Sequence, residues 1–424
     1  MTTFAAWPQG YLVAAENKLM DYGTVAPATW SDSIANTGPA ATNVLTTLNG
    51  VPVLKVTLPV GNTSWGCGVS SGLSLGASWD GEIGVLCYFP EAAQNTEIRI
   101  QIANSGFTEY ASKAWAGSLH TDAGWRWLWQ RQTAAGVPGQ PDVVGTINAS
   151  TVARGKIRII RTDSSKEEVV YVAYMGFAPR TRPVIMLSVD DGIDSAYDWL
   201  MPELVARELP CDYGLHSDLL NQGGCMTSRD VDALVNHSSG LFGVYSHTTS
   251  NNSVAALGVS EYVARFLQCA DVLRGLGAPD PTFYHPYVQG VTAVGLSQQL
   301  RALGCKVART AGGSRGDYLK YIHPTTLLNG TGLETMELPT ILNLNSSLTL
   351  ADAKTEVDDL IRLRRTGAIY GHGFVTASPN AQTWLQSDMT SLLNYIALKR
   401  DLGLVDVVSV KDWYRGLTQP ALVV

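Results

Sequence analysis

Val184-Ile-Met-Leu-Ser-Val-Asp190-Asp191-Gly192-Ile193 is a run of six apolar or small residues that ends in two adjacent carboxylates and a glycine. A short unbroken apolar run predicts a strand covered on both faces, as strands of parallel sheets are. Two carboxylates at the end of such a strand are costly to desolvate unless they bind a cation or share a proton. Gly192 lets the backbone turn sharply just after them. The plain structural alternative is a helix N-cap, for which Asp194 alone would be enough.

The same grammar recurs downstream. Leu241 to Ser246 is followed by an amphipathic stretch from Ser260 to Leu276, and Thr282 to Tyr287 by one from Thr292 to Leu303. Strands alternating with helices imply an α/β domain built on a mainly parallel sheet or barrel, with function at the carboxyl ends of the strands. Polar residues stand at those ends. His247 and Asn251, in Val244-Tyr-Ser-His247-Thr-Thr-Ser-Asn251, are four apart, so a helical turn would put both on one face. With a carboxylate they would make a mixed nitrogen and oxygen site suited to Zn²⁺ or a similar divalent ion. His372 is flanked by two glycines, and histidine is the side chain best suited to act as a general acid near neutral pH. A lone strand-end histidine is more often a hydrogen-bonded structural residue. The ordered set shifts that balance.

These elements, in this order, resemble the NodB-homology polysaccharide deacetylases of carbohydrate esterase family 4. Ser188-Val-Asp190-Asp191-Gly192 is similar to that family's T-F-D-D-G, which implies Asp190 as the base and Asp191 as a metal ligand. His247-Thr-Thr-Ser-Asn251 is similar to H-S/T-x-x-H, implying His247 and Asn251 as the other ligands, with Asn where the family has His. Tyr284-His285-Pro286-Tyr287 corresponds to the groove wall R-x-P-Y/F, which implies substrate contact by Tyr284, His285 and Pro286 and an oxyanion-binding backbone N–H at Tyr287. Tyr284 replaces the arginine that steadies the catalytic Asp, and Arg309 is the candidate to supply that charge at the substrate site. Asp317 is the nearest candidate to orient His372. The resemblance spans Thr181 to Trp413 and implies a distorted (β/α) barrel of the NodB type. It implies a divalent metal, Zn²⁺ first, and hydrolytic removal of acetyl groups from a bacterial surface polysaccharide. The Asn251 and Tyr284 departures keep open an inactive glycan-binding or adhesion protein, and a non-sugar amide is a third substrate class.

Residues 1–180 read differently. Short alternating segments (Val51 to Leu58, Gly81 to Phe89, Glu97 to Ala103, Trp125 to Gln130, Lys156 to Arg161, Glu168 to Tyr174) predict antiparallel strands and a β-sandwich-like domain. Eight of the eleven tryptophans lie here, including Trp125, Trp127 and Trp129 on one face of a strand. Such rings suit sugar faces, yet a same-face aromatic row is more often core or interface. The two prolines of Phe177-Ala-Pro-Arg-Thr-Arg-Pro183 mark a linker, giving domains 1–180 and 181–424.

A chain of 424 residues with 45% hydrophobic and 16% charged residues can bury two cores. Its net charge of -7, without a basic run, argues against nucleic acid and leaves a neutral or amino polysaccharide as the partner. Six scattered cysteines form no zinc-knuckle spacing and read as reduced thiols; a Cys67–Cys87 bridge is the one alternative. No stretch approaches 18 apolar residues, so membrane insertion is not expected, and the amino terminus lacks a secretory pattern. A glycan-modifying domain behind a β-rich one resembles bacteriophage tail spike and fibre proteins, implying a homotrimer on a virion tail. A cytoplasmic enzyme is the alternative.

Overall fold

A computed structural model describes residues 18–21, 39–48, 51–68, 82–91, 96–106, 108–115, 124–131, 142–145, 153–177, 183–290, 293–310, 336, 338, 340–362 and 366–418. These fall into two compact units that divide between Pro179 and Arg180. Asp317 and most of the tryptophans of the first unit lie outside the described residues or side chains.

The first unit is antiparallel throughout. One sheet runs in the order Thr42–Leu48, Val51–Leu58, Glu168–Phe177, Glu82–Phe89, Gly124–Arg131, with Lys18–Asp21 also paired to Glu168–Phe177. The other runs Ser64–Gly68, Arg154–Arg161, Thr96–Ala103, Tyr110–Trp115, Asp142–Val144. Alternation is the cause. In Thr96–Ala103 the side chains of Ile98, Ile100 and Ile102 are buried while those between are half-exposed, the period of a strand with one wet face. Arg161 ends such a row and is itself buried. Its guanidinium donates to Leu58 O at 2.8 Å and Lys166 O at 2.6 Å, so the charge is held by carbonyls where the strands stop. Cys87 is buried and free, which removes the Cys67–Cys87 bridge.

The second unit centres on Val184–Asp191, buried along its whole length. It lies in a parallel sheet of order Phe242–Ser246, Cys211–Leu215, Val184–Asp191, Thr366–Gly371, Thr340–Leu344, with Asp406–Val407 added beside its first residues. Tyr284–Pro286 and Val307–Arg309 form a separate parallel pair. Helices fill the connections. Gln386–Asp401 buries Met389, Leu392, Leu393 and Ile396, the i, i+3, i+4, i+7 stripe of a surface helix.

The two faces of Val184–Asp191 meet different surroundings. Ile185, Leu187 and Val189 join the apolar cluster of the helices. Ser188 and Asp190 point the other way, as alternation requires, into an interior that also holds Asp212, Tyr284, Arg309 and Thr340. Within it, Arg309 pairs with Asp190, donates to the Tyr284 hydroxyl at 2.9 Å and lies 4.0 Å from the centre of the Tyr370 ring. Removing one partner of a buried pair of this kind typically costs about 3–5 kcal/mol.

Asp212 is the second interior carboxylate. Its Oδ2 accepts the Val410 N–H at 2.8 Å. Burial pushes its pKa up to about 7, against the lowering effect of that bond and of Tyr245. A raised folded pKa means a contribution that is full below the unfolded carboxylate value and is lost as pH climbs through the folded one. Asp212→Asn should therefore gain stability relative to the wild type between pH 4.5 and pH 7.5, on the order of 3–4 kcal/mol. Urea denaturation at both pH values measures this; a difference that does not change with pH contradicts it.

Candidate active site

Strand register brings the site together. Asp191 lies beside Leu215, Leu215 beside Ser246, and Val189 beside Gly371, so the residues that follow these strands emerge as neighbours. They are His216, His247 and His372. Asp191 itself sits at φ 70° and Gly192 at φ 79°. Only glycine takes the second value without strain, and a β-carbon there would also come within 3.1 Å of Leu215. The left-handed Asp191 is a strained backbone of the sort found at functional sites.

Asp191, His216 and His247 are all buried, with one ligand atom of each inside a 4.8 Å circle. His216 Nε2 is 3.2 Å and His247 Nε2 is 3.5 Å from Asp191 Oδ1. The imidazoles stack with centroids 4.4 Å apart. Their other nitrogens are committed: His216 Nδ1 faces Thr248 O at 3.2 Å and His247 Nδ1 faces Pro286 O at 2.7 Å. A carbonyl only accepts, so each ring is protonated at Nδ1 and, when neutral, presents a bare Nε2 lone pair to Asp191. Two lone pairs facing a carboxylate repel unless positive charge stands between them. The backbone-anchored imidazole is the arrangement that metal-ligating histidines adopt, so the residues present fit a divalent ion.

The electrostatics agree. Burial works against ionisation of Asp191, but its contacts with His216 and His247 outweigh that and hold its carboxyl far below the usual range. Burial also opposes charge on His247, which the neighbouring Asp190 and Asp191 nevertheless raise. His216 is lowered, first by burial and then by His247. The two acids thus draw one positive charge to this spot.

Asp190 is 3% exposed; its Oδ2 receives Arg309, and its Oδ1 has no hydrogen-bond partner among the described residues. Gly214, its cross-strand neighbour, keeps Oδ1 open. A β-carbon at Gly214 would stand 2.5 Å from Pro286 Cγ and 3.3 Å from Asp190 Oδ1. His372 completes the group from the other side, Nε2 3.9 Å from Asp191 Oδ2 and its side chain partly open to solvent.

Several expected residues are placed elsewhere. Asn251 is exposed and outside the cluster, because the chain after Ser246 does not form a helical turn. Thr248 takes φ 73° and its hydroxyl bonds Ser250 O at 2.8 Å, so the four-residue spacing of His247 and Asn251 is not that of a helix. The third member of the cluster is His216. Its signal was present in Cys211-Asp-Tyr-Gly-Leu-His216, a short apolar strand followed at once by histidine, the pattern that marked His247 and His372. The Tyr287 amide, expected to face an oxyanion, donates to Arg309 O at 2.9 Å. Tyr284, His285, Pro286 and Arg309 are buried and offer no surface to a substrate. His285 donates from Nδ1 to Ser246 O and accepts the Tyr262 hydroxyl at Nε2, each at 2.9 Å. Burial lowers its pKa to about 3, so it is a neutral structural residue. Arg309 reaches Asp190 from the strand paired with that of Tyr284, whose hydroxyl it also holds.

Carboxylates and histidines converging at the carboxyl ends of parallel strands define a candidate metal centre. No family profile and no curated protein matches the chain. Solved structures do resemble about half of it, among them family 4 carbohydrate esterases and polysaccharide deacetylases. A family 4 carbohydrate esterase from Streptomyces lividans in complex with acetate is 14% identical over 54% of this chain and 92% of its own, with a TM-score of 0.36. A family 4 acetyl xylan esterase from Clostridium thermocellum in complex with a cobalt ion is 14% identical over 55% and 90%, TM-score 0.37. The polysaccharide deacetylase Bc1974 from Bacillus cereus is 12% identical over 54% and 92%, TM-score 0.34.

The cluster separates two ligand sets experimentally. Titrated with zinc in a calorimeter, His216→Ala should bind at least tenfold more weakly than the wild type, in line with loss of one imidazole ligand. Asn251→Ala should bind within about twofold of it, since an exposed amide outside the cluster has no ligand bond to lose. The reverse ranking restores the Asn251 assignment.

Proposed function

We propose that the second unit is a metal-dependent hydrolase that removes acetyl groups from a polysaccharide. The observation that carries this reading is the convergence of two backbone-anchored Nε2 atoms on Asp191, with the open Oδ1 of Asp190 alongside. Asp191, His216 and His247 would hold the ion, Zn²⁺ being the first candidate for a donor set of two imidazoles and a carboxylate. When bound, such an ion acidifies water and polarises an acyl oxygen.

The chain's own groups supply the proton traffic. Asp190 takes a proton from water at Oδ1, while Arg309 fixes its other oxygen and keeps the carboxylate from rotating. His372 gives a proton to the departing amine or alkoxide, reaching the site from the opposite strand end. Acetyl groups on a glycan are the substrate class that the motif resemblance favours. On this reading the parallel strands and the Tyr284–Pro286 pair close as a distorted barrel, and the amino-terminal sheets pack as a β-sandwich that assists glycan binding.

The reading of a scaffold without activity rested on Asn251 and Tyr284. His216 beside Asp191 and Arg309 on Asp190 account for both departures, so the active reading is the better supported.

Asp190→Asn should keep zinc affinity and lower acetate release from acetylated glycans about a hundredfold or more. An acetate assay on zinc-loaded protein reads this out. Turnover equal to the wild type would remove Asp190 as the base.

A further inference from the structure

Ser195 stands at the start of the helical segment Ala196–Leu200, a wide π-type turn, yet its side chain caps no helix N–H. Its backbone is already helical, at φ -62° and ψ -20°, so it lies outside the capping geometry. Its hydroxyl instead accepts the N–H of Phe374 at 2.9 Å, across 179 positions of sequence. Phe374 is two residues beyond His372. The residue between them, Gly373, packs directly on the same loop: a β-carbon there would lie 3.1 Å from Ile193 Cγ2 and 3.4 Å from Ser195 Oγ. The next amide is also held, with Gly373 N–H donating to Gln382 O at 3.1 Å.

The histidine ring packs edge-on against Tyr370, with centroids 5.6 Å apart, and makes no hydrogen bond among the described residues. His372 Nδ1 is buried and has no hydrogen-bond partner among the described residues, and Nε2 is 3.9 Å from Asp191 Oδ2, beyond hydrogen-bond range. Its backbone is held on the amino side by the strand that ends at Gly371 and on the carboxyl side by the Gly373 and Phe374 amides, and the second hold is the one that ties it to the Asp190–Asp191 loop. The other end of that tether is on the loop itself, since Ser195 follows Asp191 by four residues. The loop is in turn clamped to Gly224 and Met226, by Asp194 N–H to Gly224 O at 3.1 Å and Met226 N–H to Gly192 O at 2.8 Å.

We propose that Ser195 is a positioning residue: its bond to the Phe374 amide, with the close seat of Gly373 on Ile193, fixes His372 at its working distance from the Asp190–Asp191 loop. This deepens the deacetylase reading and rests on it for the role of His372 as proton donor. Displacing a proton donor by about 1 Å can cost about a hundredfold in rate. The loss should depend on the leaving group, because a sugar amine must be protonated to depart and 4-nitrophenolate need not be.

The experiment uses the full chain loaded with zinc, hexa-N-acetylchitohexaose as the amide probe and 4-nitrophenyl acetate as the activated ester. Ser195→Ala should lower kcat on the amide about 10–100-fold, with KM within about twofold. Its loss on the aryl ester should be at least tenfold smaller, Ser195→Thr should recover most of the amide rate, and Gly373→Ala should reproduce the selective loss if Ser195→Ala does not fold. Equal losses on both probes overturn the proposal. So does an unchanged Ser195→Ala alongside a His372→Ala variant that has lost amide turnover. Should the wild type hydrolyse neither probe, the deacetylase reading fails, and crystal structures of wild type and Ser195→Ala decide the positioning claim alone. His372 displaced from Asp191 in the variant supports it; His372 unmoved overturns it.

Discussion

Two imidazoles and a carboxylate crowd into one buried spot, and the rest of the second unit is arranged around making that tolerable. Each ring spends its Nδ1 proton on a backbone carbonyl, Thr248 O or Pro286 O, and so turns a lone pair toward Asp191. Thr248 lies in the loop after Phe242–Ser246 and Pro286 ends a strand of the separate pair, while the two rings follow neighbouring strand ends of the sheet, so the cluster is a product of parallel register rather than of any local motif. Parallel pairing collects chain ends of the same polarity, and residues far apart in sequence meet there.

Beneath the cluster the interior is polar, which is unusual for a sheet face sealed from water. Asp190 and Asp212 share it with one guanidinium, Arg309, which lies against Tyr284 and Tyr370. Pairing Arg309 with Asp190 leaves Asp212 to take its bond from Val410 N–H, and burial then favours its protonated form. The interior thus treats its two carboxylates differently: Asp190 is paired with a guanidinium, and Asp212 is pushed up to about 7 by burial. Glycine is needed where this is tight, as at Gly214, whose missing side chain leaves room for Pro286 and Asp190 at once.

Much of this was legible in the sequence. The apolar run before Asp190 and Asp191 located the central strand because only a doubly covered strand is apolar at every step. The alternating segments of the first 180 residues located most of its strands, while short or weakly alternating ones such as Ser64–Gly68 and Asp142–Val144 carry too few residues for a period to show. His247, Asp191 and His372 stood out because each follows an apolar strand. Asn251 was misread because a four-residue spacing has meaning only on a helix, and the positive φ of Thr248 is a property of the folded loop. His216 follows the same rule as the other histidines but belongs to no spaced pair, so a search by spacing passes it by. The groove residues failed for another reason. Apolar and aromatic residues beside a site look alike in sequence whether they face the ligand or the core, and Tyr284, His285 and Pro286 face the core.

The most direct measurement is anomalous diffraction at the zinc edge from a zinc-soaked crystal. One peak should lie within about 2.0–2.2 Å of His216 Nε2, His247 Nε2 and an Asp191 oxygen. A peak bound through Asn251, or none at Asp191 under saturating zinc, would contradict the account.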